Sequence, residues 1–256
     1  MSKELITIDT NDSVRNALRL MQKHKISRLL VRKKGKIVGI VTERDLIRRL
    51  GSEKERKLSD AHIHVSSCYS KNLISIDKNA SLKEAAQLML QNGISSLAVK
   101  ENDKIVGLIT KTDLIKALKD SKDKVERFMS RNVLRLQEDS RLLEARKLML
   151  GKHIKRIPIV KGEELVGIIT EQDIAKALGL FRKVAEGKQW DEKLRYLFVR
   201  DFMTKNVITT SPSDEIGKCV ERMLEKRISG LPVLEDGNLV GIITKTDLVR
   251  AIIEIF

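Results

Sequence analysis

One pattern occurs four times in this chain of 256 residues and limits what it can fold into more than any other feature. It reads Gly39-Ile-Val-Thr42-Glu-Arg-Asp45-Leu46, Gly107-Leu-Ile-Thr110-Lys-Thr-Asp113-Leu114, Gly167-Ile-Ile-Thr170-Glu-Gln-Asp173-Ile174 and Gly241-Ile-Ile-Thr244-Lys-Thr-Asp247-Leu248. Four such turns mark an internal repeat, which has to be recognised before any other element is assigned. The glycines lie 68, 60 and 74 residues apart, so the period drifts and extra residues sit between units. A regular solenoid would not drift so far.

Upstream of each turn the same order recurs: short strand, helix, second strand, Gly-containing turn, third strand, then a second helix. In the fourth copy these are a strand over 207–210, a helix over 213–227, strands over 228–234 and 239–244, and a helix from Lys245. The first helix carries apolar or small residues at i, i+3, i+4 and i+7, the spacing of one buried helical face. The residues are Val14, Ala17, Leu18 and Met21, then Leu82, Ala85, Ala86 and Met89, then Ile216, Cys219, Val220 and Met223. The third copy reads Leu142, Ala145, Arg146 and Met149, with Arg146 a local departure. This alignment makes the four methionines core fillers rather than soft-metal ligands. It also puts Cys219 in the slot held elsewhere by alanine.

Charge and composition narrow the class of partner. Fifty Lys/Arg against 35 Asp/Glu give a net charge of +15, which favours phosphates, nucleic acid or another anionic partner. Residues 1–60 hold sixteen Lys/Arg against eight Asp/Glu, a net of +8, so the first unit carries about half of that bias. Aromatic residues are 3%, too few for the stacking platforms of single-strand binders. No run approaches the roughly 18 apolar residues of a membrane span, and the first residues lack the apolar stretch of a signal peptide. A cytoplasmic, soluble protein without membrane contact is expected, and two distant cysteines fit a reducing compartment.

These turns, the preceding strands Ile157-Pro158-Ile159-Val160 and Leu231-Pro232-Val233, and the segments Val125-Glu-Arg-Phe-Met129 and Val199-Arg-Asp-Phe-Met203 resemble the CBS domain, whose tandem pairs are called Bateman modules. The four-unit arrangement resembles the gamma subunit of AMP-activated protein kinase and archaeal stand-alone relatives. The resemblance implies an α+β fold of four β-α-β-β-α units, arranged as two tandem Bateman modules able to close into one pseudo-symmetric disc. The units are expected over 1–56, 57–121 with an inserted segment at 61–71, 122–180 and 199–256. A connecting helix is expected over 181–198, where the only tryptophan, Trp190, lies. It also implies a pairing of units 1 with 2 and 3 with 4.

Thr-x-x-Asp has a plain local role, since a Thr ending a strand and an acid three residues on form a capping box at the next helix. The resemblance adds a second role, ribose binding, for Thr42 and Asp45, Thr110 and Asp113, Thr170 and Asp173, and Thr244 and Asp247. A carboxylate there can accept from both ribose hydroxyls. In nucleotide-binding relatives the residues before the second strand reach phosphates. Here these are Ser27-Arg28, Ser95-Ser96, Lys155-Arg156 and Ser229-Gly230, so Arg28, Lys155 and Arg156 are the phosphate candidates, one set per module, with Arg44 beside them. Thr7, Ser75 and Thr209 fall on the base side of the implied cleft, where Arg135 takes the place of a small hydroxyl residue.

Neither catalysis nor a metal site is expected. There is no GxxxxGK[ST], GxSxG or HExxH, and His62, His64 and Cys68 fall short of the four ligands of a structural zinc. The expected function is therefore non-catalytic: a sensor of AMP, ADP or ATP as regulatory ligand, with no obligatory cofactor. It would act on a separate effector protein or through homo-oligomers. Two alternatives stand beside it: a nucleic-acid binder using the basic surface around unit 1, and an S-adenosylmethionine binder, whose cationic ligand Arg28, Lys155 and Arg156 would repel.

Overall fold

The computed structural model describes residues 1–2, 4–51, 60–102, 104–184 and 194–256. Trp190 and most of the expected connecting helix lie outside them, as does the start of unit 2 before Asp60. Unit 1 runs through strand Thr7–Asp9, helix Val14–His24, strands Arg28–Lys33 and Lys36–Thr42, and helix Glu43–Leu50. Unit 2 repeats this with Ser75–Asp77, Leu82–Gln91, Ser96–Glu101, Lys104–Thr110 and the short helix Lys111–Leu114, which tightens into a 3-10 turn at Ile115–Leu118. Unit 3 has Leu136–Gln137, Leu142–Gly151, Arg156–Lys161, Glu164–Thr170 and the longer helix Glu171–Val184. Unit 4 has helix Ile216–Glu225, strands Gly230–Glu235 and Asn238–Thr244, and helix Lys245–Ile255.

In every unit the second and third strands form an antiparallel hairpin, and in units 1 to 3 the first strand pairs in parallel with the second. The first strand shortens along the chain, and prolines explain it. Leu30 N–H donates to Ile6 and Ala98 N–H to Ile74, fixing three-residue first strands in units 1 and 2. Pro158 and Pro232 occupy the equivalent register positions and have no N–H to give. Unit 3 therefore keeps two residues of first strand. In unit 4 the strand expected over 207–210 is reduced to a single parallel bridge between Thr210 and Val233.

The glycine of each repeated turn has a packing cause. Segments leading into each unit cross onto the third strand of its module partner: Ser70 pairs with Ile40, Ser2 with Leu108, Ser130 with Ile242 and Thr204 with Ile168. Both backbone bonds of each bridge are 2.9 or 3.0 Å long. A Cβ on Gly39 would collide with Tyr69 and Ser70, and one on Gly107, Gly167 or Gly241 with the sulfur of Met1, Met203 or Met129. The exchange joins unit 1 to unit 2 and unit 3 to unit 4, as the sequence pairing anticipates. It also places Cys68 where Phe128 and Phe202 sit in the other lead-in segments.

A second pairing is made by helices. One buried core runs through units 1 and 3 and includes Met21, Leu46, Ile47, Met149, Ile174 and Leu178. Another runs through units 2 and 4 and includes Met89, Leu114, Cys219, Met223, Leu248 and Ile252. The out-of-pattern Arg146 belongs to this helical contact. Its Nε donates to Ile47 O (2.8 Å) and its Nη2 to Arg48 O (3.0 Å), so a cation from unit 3 binds carbonyls in the last turn of unit 1's last helix, where the helix dipole favours positive charge. Strand exchange in one direction and helix packing in the other close the four units into a ring.

Candidate functional site

Each unit brings the residues before its second strand against the start of its last helix. The first N–H of that helix donates to the carbonyl of Ser27, Ser95, Lys155 or Ser229, each at 3.1 Å. The corner so formed carries Arg28, Glu43 and Arg44 in unit 1, and Lys155, Arg156 and Glu171 in unit 3. In units 2 and 4 it carries Lys111 and Lys245. Ring closure turns all four corners toward a common centre.

There the cations find mostly neutral partners. Arg28 Nη2 donates to Ser27 Oγ (2.9 Å), Lys111 Nζ to Thr246 Oγ1 (3.0 Å), Lys245 Nζ to Thr112 Oγ1 (2.9 Å) and Lys155 Nζ to Ser95 Oγ (2.6 Å). Arg156 donates to Ser229 Oγ, and Gly230 beside it leaves room for the guanidinium, which a Cβ there would strike. Only Arg44 has a carboxylate partner, Glu171 Oε1 at 2.6 Å, and it also touches His153 Nδ1 (3.2 Å) and Ile154 O (3.1 Å). Six cations thus gather with Glu43 and Glu171, while Asp113 and Asp247 lie near enough to act on Arg28, Lys111, Arg156 and Lys245. The neutral residues that sequence reading leaves out of phosphate binding, Ser95, Ser229 and Gly230, are the receivers of unit 3's cations.

Burial shifts the charged groups of this centre toward their neutral forms. Desolvation, followed by repulsion from Arg28, pushes Lys155 down to about 7, although its side chain keeps solvent contact. Desolvation brings Lys111 and Lys245 down to about 8 and Arg156 to about 10, and lowers Arg28. Desolvation, with repulsion from Glu171, raises Glu43 to about 7. Each group moves toward its neutral form chiefly because burial penalises its charged form. Sequence reading separates Arg28 from Lys155 and Arg156 by module, whereas the structure brings them to one centre.

The capping boxes form in all four units, with Asp Oδ2 accepting from Thr N at 2.8 to 3.0 Å and from Thr Oγ1 at 2.6 to 2.9 Å. Capping uses one carboxylate oxygen and leaves Oδ1 to differ. Asp113 Oδ1 lies 3.4 Å from the Met1 nitrogen and 3.7 Å from Lys116 Nζ. Asp247, only 5% exposed, holds Arg250 (3.1 Å) and Ser130 Oγ (3.3 Å) on Oδ1. For Asp45 and Asp173 no hydrogen bond or ion pair to Oδ1 is formed among the described residues. A cavity of about 320 Å³ opens beside Asp45, walled by Arg48, Arg49 and Ser67 to Ser70.

On the base side, Thr7 and Ser75 lie in their first strands, while Thr209 precedes the unit 4 bridge and its carbonyl accepts from Arg222 (3.2 Å). A cavity of about 250 Å³ in unit 2 has apolar walls from Ile76, Leu82, Val99 and Ile109 and a polar edge from Asp77, Lys78 and Ser81; Ser75 does not line it. Arg135 is turned away into an ion pair with Glu163 (2.7 Å). Cys219 is buried against Thr210 Oγ1 (3.3 Å), and burial raises its thiol. His64 Nδ1 meets Asn11 O (2.7 Å), and among the described residues no group of three or more His, Cys, Asp or Glu is placed to hold a metal. No described helix is long and apolar enough to cross a membrane.

Sequence reasoning missed Glu43, Lys111, Glu171 and Lys245. The signal was present: the residue after each repeated Thr alternates Glu, Lys, Glu, Lys. It also missed the cation three residues beyond each Asp, namely Arg48, Lys116, Lys176 and Arg250.

Four strand-exchanged units around a shared polar centre define a tandem ligand-binding repeat protein. The chain belongs to the CBS-domain family, whose profile matches residues 1–52, 65–120, 125–180 and 199–254. It is 29% identical to MJ1225 of Methanocaldococcus jannaschii over 97% of this chain and 95% of that protein. The crystal structure of MJ1225, described as a candidate archaeal homologue of g-AMPK, superposes with a TM-score of 0.88 at 26% identity, covering 98% and 97% of the two chains. A 33.4 kDa protein of Thermofilum pendens, encoded in a ribosomal RNA operon, is 27% identical over 95% of this chain and 86% of its own length.

Proposed function

We propose that the chain is a non-catalytic regulatory sensor of adenine nucleotides, binding AMP, ADP or ATP with phosphates at the common centre and ribose on the Thr-x-x-Asp turns. The observation that carries this reading is the set of five cations gathered at one centre, Arg28, Lys111, Lys155, Arg156 and Lys245, whose direct partners are hydroxyls. Cations left against neutral groups in a crowded site favour an anion as the missing partner. Asp45 and Asp173 are the preferred ribose acceptors, since the protein's own groups already occupy Oδ1 of Asp113 and Asp247. Thr7, Ser75 and Thr209 border the base side. The kinship of MJ1225 with g-AMPK, as described for that protein, agrees with an adenine nucleotide.

A centre built from all four units also supplies a signalling device. Without an anion the cations repel across unit boundaries, and a bound phosphate removes that repulsion. The ligand then binds the closed arrangement better than a splayed one, as a population shift requires. An effector protein, or a second copy of the chain, would read the difference. S-adenosylmethionine fits less well because its sulfonium adds to the positive charge.

Titration calorimetry of the purified chain with AMP, ADP, ATP and S-adenosylmethionine tests the assignment. Binding of at least one phosphate-bearing nucleotide, tighter than S-adenosylmethionine, is expected. No heat at millimolar nucleotide, or tighter binding of S-adenosylmethionine, would overturn it.

A further inference from the structure

The four hairpins joining second and third strands are the same device built four times, so each copy is a control for the others. The pair closing the turn is Glu101 opposite Lys104 in unit 2, Lys161 opposite Glu164 in unit 3 and Glu235 opposite Asn238 in unit 4. In unit 1 it is Lys33 opposite Lys36. Like charges directly across a ladder destabilise it. The next residue has positive φ in every copy: Asn102, Gly162 and Asp236 in units 2 to 4, and Lys34 (φ 49°) in unit 1. Gly, Asn and Asp tolerate this left-handed conformation, whereas lysine does not share their reason for adopting it.

Unit 1 therefore gives up both the cross-strand attraction and the favoured turn residue, and in exchange presents Arg32, Lys33, Lys34 and Lys36, all exposed, at one tip. Among the described residues none of the four makes an ion pair. The hairpins of units 2 and 3 are tied down, by Lys78 with Glu101 in unit 2 and by Arg135 with Glu163 and Lys161 with Glu138 in unit 3. The facing acids of unit 1 are spent locally. Asp9, next to Arg32 across the sheet, accepts from Thr10 and Asn11, and Asp12 accepts from the Asp9 N–H and from Asn16.

We infer that this hairpin tip is a docking site for the phosphodiester backbone of duplex nucleic acid, separate from the nucleotide centre. The second strand starts at the centre with Arg28 and ends at the tip with Lys33, about 17 Å away along an extended strand. Residues 4–51 contain no Phe, Tyr or Trp on which an unpaired base could stack, which favours duplex over single strand. Among the described residues the exposed large apolar ones are Met1, Leu134, Leu180, Tyr196, Ile255 and Phe256, none of them on this hairpin. A membrane or an acidic protein surface would call for such an anchor beside the charge. Phosphate neutralisation by several cations needs none.

The test is fluorescence anisotropy of the full chain with a labelled mixed-sequence duplex of about 25 base pairs at about 50 mM salt and above, since four phosphate contacts predict a log–log salt slope near −3.6. The variant Lys33→Glu with Lys34→Asp copies the unit 4 turn and should melt no lower than wild type. It should bind the duplex at least tenfold more weakly, with a slope shallower by about 1.8 for two lost contacts. Lys218→Glu with Lys226→Glu makes the same change in net charge on exposed positions of unit 4 and should weaken binding less than about threefold. The inference is overturned if wild type fails to bind at low salt, if the hairpin variant binds like wild type, or if the unit 4 control loses as much. Displacement of the duplex by polyglutamate at equal charge concentration would also overturn it, in favour of an acidic protein partner.

Discussion

Units 1 and 3 differ from units 2 and 4 at the same three corner positions while sharing the same turn. The odd units begin their last helix with Glu43 or Glu171, carry Arg28 or Lys155 and Arg156 before the second strand, and leave the outer oxygen of Asp45 or Asp173 without a hydrogen-bond or ion-pair partner among the described residues. The even units begin the helix with Lys111 or Lys245, offer hydroxyls or glycine before the second strand, and satisfy Asp113 and Asp247 from within the chain. The repeated turn, identical in role as a helix cap, is thus divided between copies whose Asp uses one carboxylate oxygen and copies whose Asp uses both. A motif present four times need not be four equal sites.

The strongest way to break this division is to remove the odd units' cations. Arg28→Met with Arg156→Met should lower affinity for a phosphate-bearing nucleotide by about 100-fold or more, the scale of truncating a charge-assisted contact. The ligand-free protein should be no less stable, and up to about 1 kcal/mol more so, because a cation short of compensating charge has been replaced by apolar volume. Calorimetry and thermal melts read the two effects separately. A parallel loss of stability would show that the arginines are structural.

A smaller effect separates the acids. Asp45→Ala and Asp173→Ala should each weaken nucleotide binding roughly tenfold, the worth of about one hydrogen bond to a charged acceptor, plus about 1 kcal/mol of lost cap. Asp247→Ala should chiefly reduce stability, by about 1–2 kcal/mol, since it strips a buried carboxylate from its cap and from Arg250. Equal loss of binding in all three alanine variants would erase the odd–even distinction at the ribose.

The mildest probe is pH. Lys155 lies at about 7 and Lys111 and Lys245 at about 8, all depressed, so they shed charge as pH rises through 7 to 9. Glu43, raised to about 7, acquires charge over the start of that window. Both changes make the centre less positive, so affinity for phosphate-bearing nucleotide should fall by roughly tenfold from pH 7 to 9, above the phosphate's own second ionisation. Stability of the ligand-free protein moves the other way. The depressed lysines penalise folding fully below their folded values, and the penalty is relieved as pH rises toward the unfolded value near 10.4. The contribution of Glu43 is present at low pH and already lost between about 4.3 and 7.

What could be read from sequence was what each unit settles alone. The helix faces built on Met21, Met89, Met149 and Met223 are buried as the spacing requires, because a 3.6-residue period depends only on local geometry. The odd–even difference in basic residues was visible too. Its meaning was not, because Lys155 reaches Ser95 and Arg156 reaches Ser229 across unit boundaries that no periodicity encodes. Arg146 looked like a flaw in its helix for the same reason, its carbonyl partners lying 98 and 99 residues away. The short first strands of units 3 and 4 could have been foreseen from Pro158 and Pro232, whose missing N–H is a local fact.

The exchange of lead-in segments bears on how such a chain can be divided. The stretch that shields the turn glycine of one unit belongs to its neighbour, through Tyr69 over Gly39, Met129 over Gly241 and Met203 over Gly167. Excising a single repeat would strip its neighbour of cover and leave a strand edge open. The smallest piece that can be transplanted, duplicated or lost without exposing backbone is therefore the pair, and insertions are best tolerated between pairs.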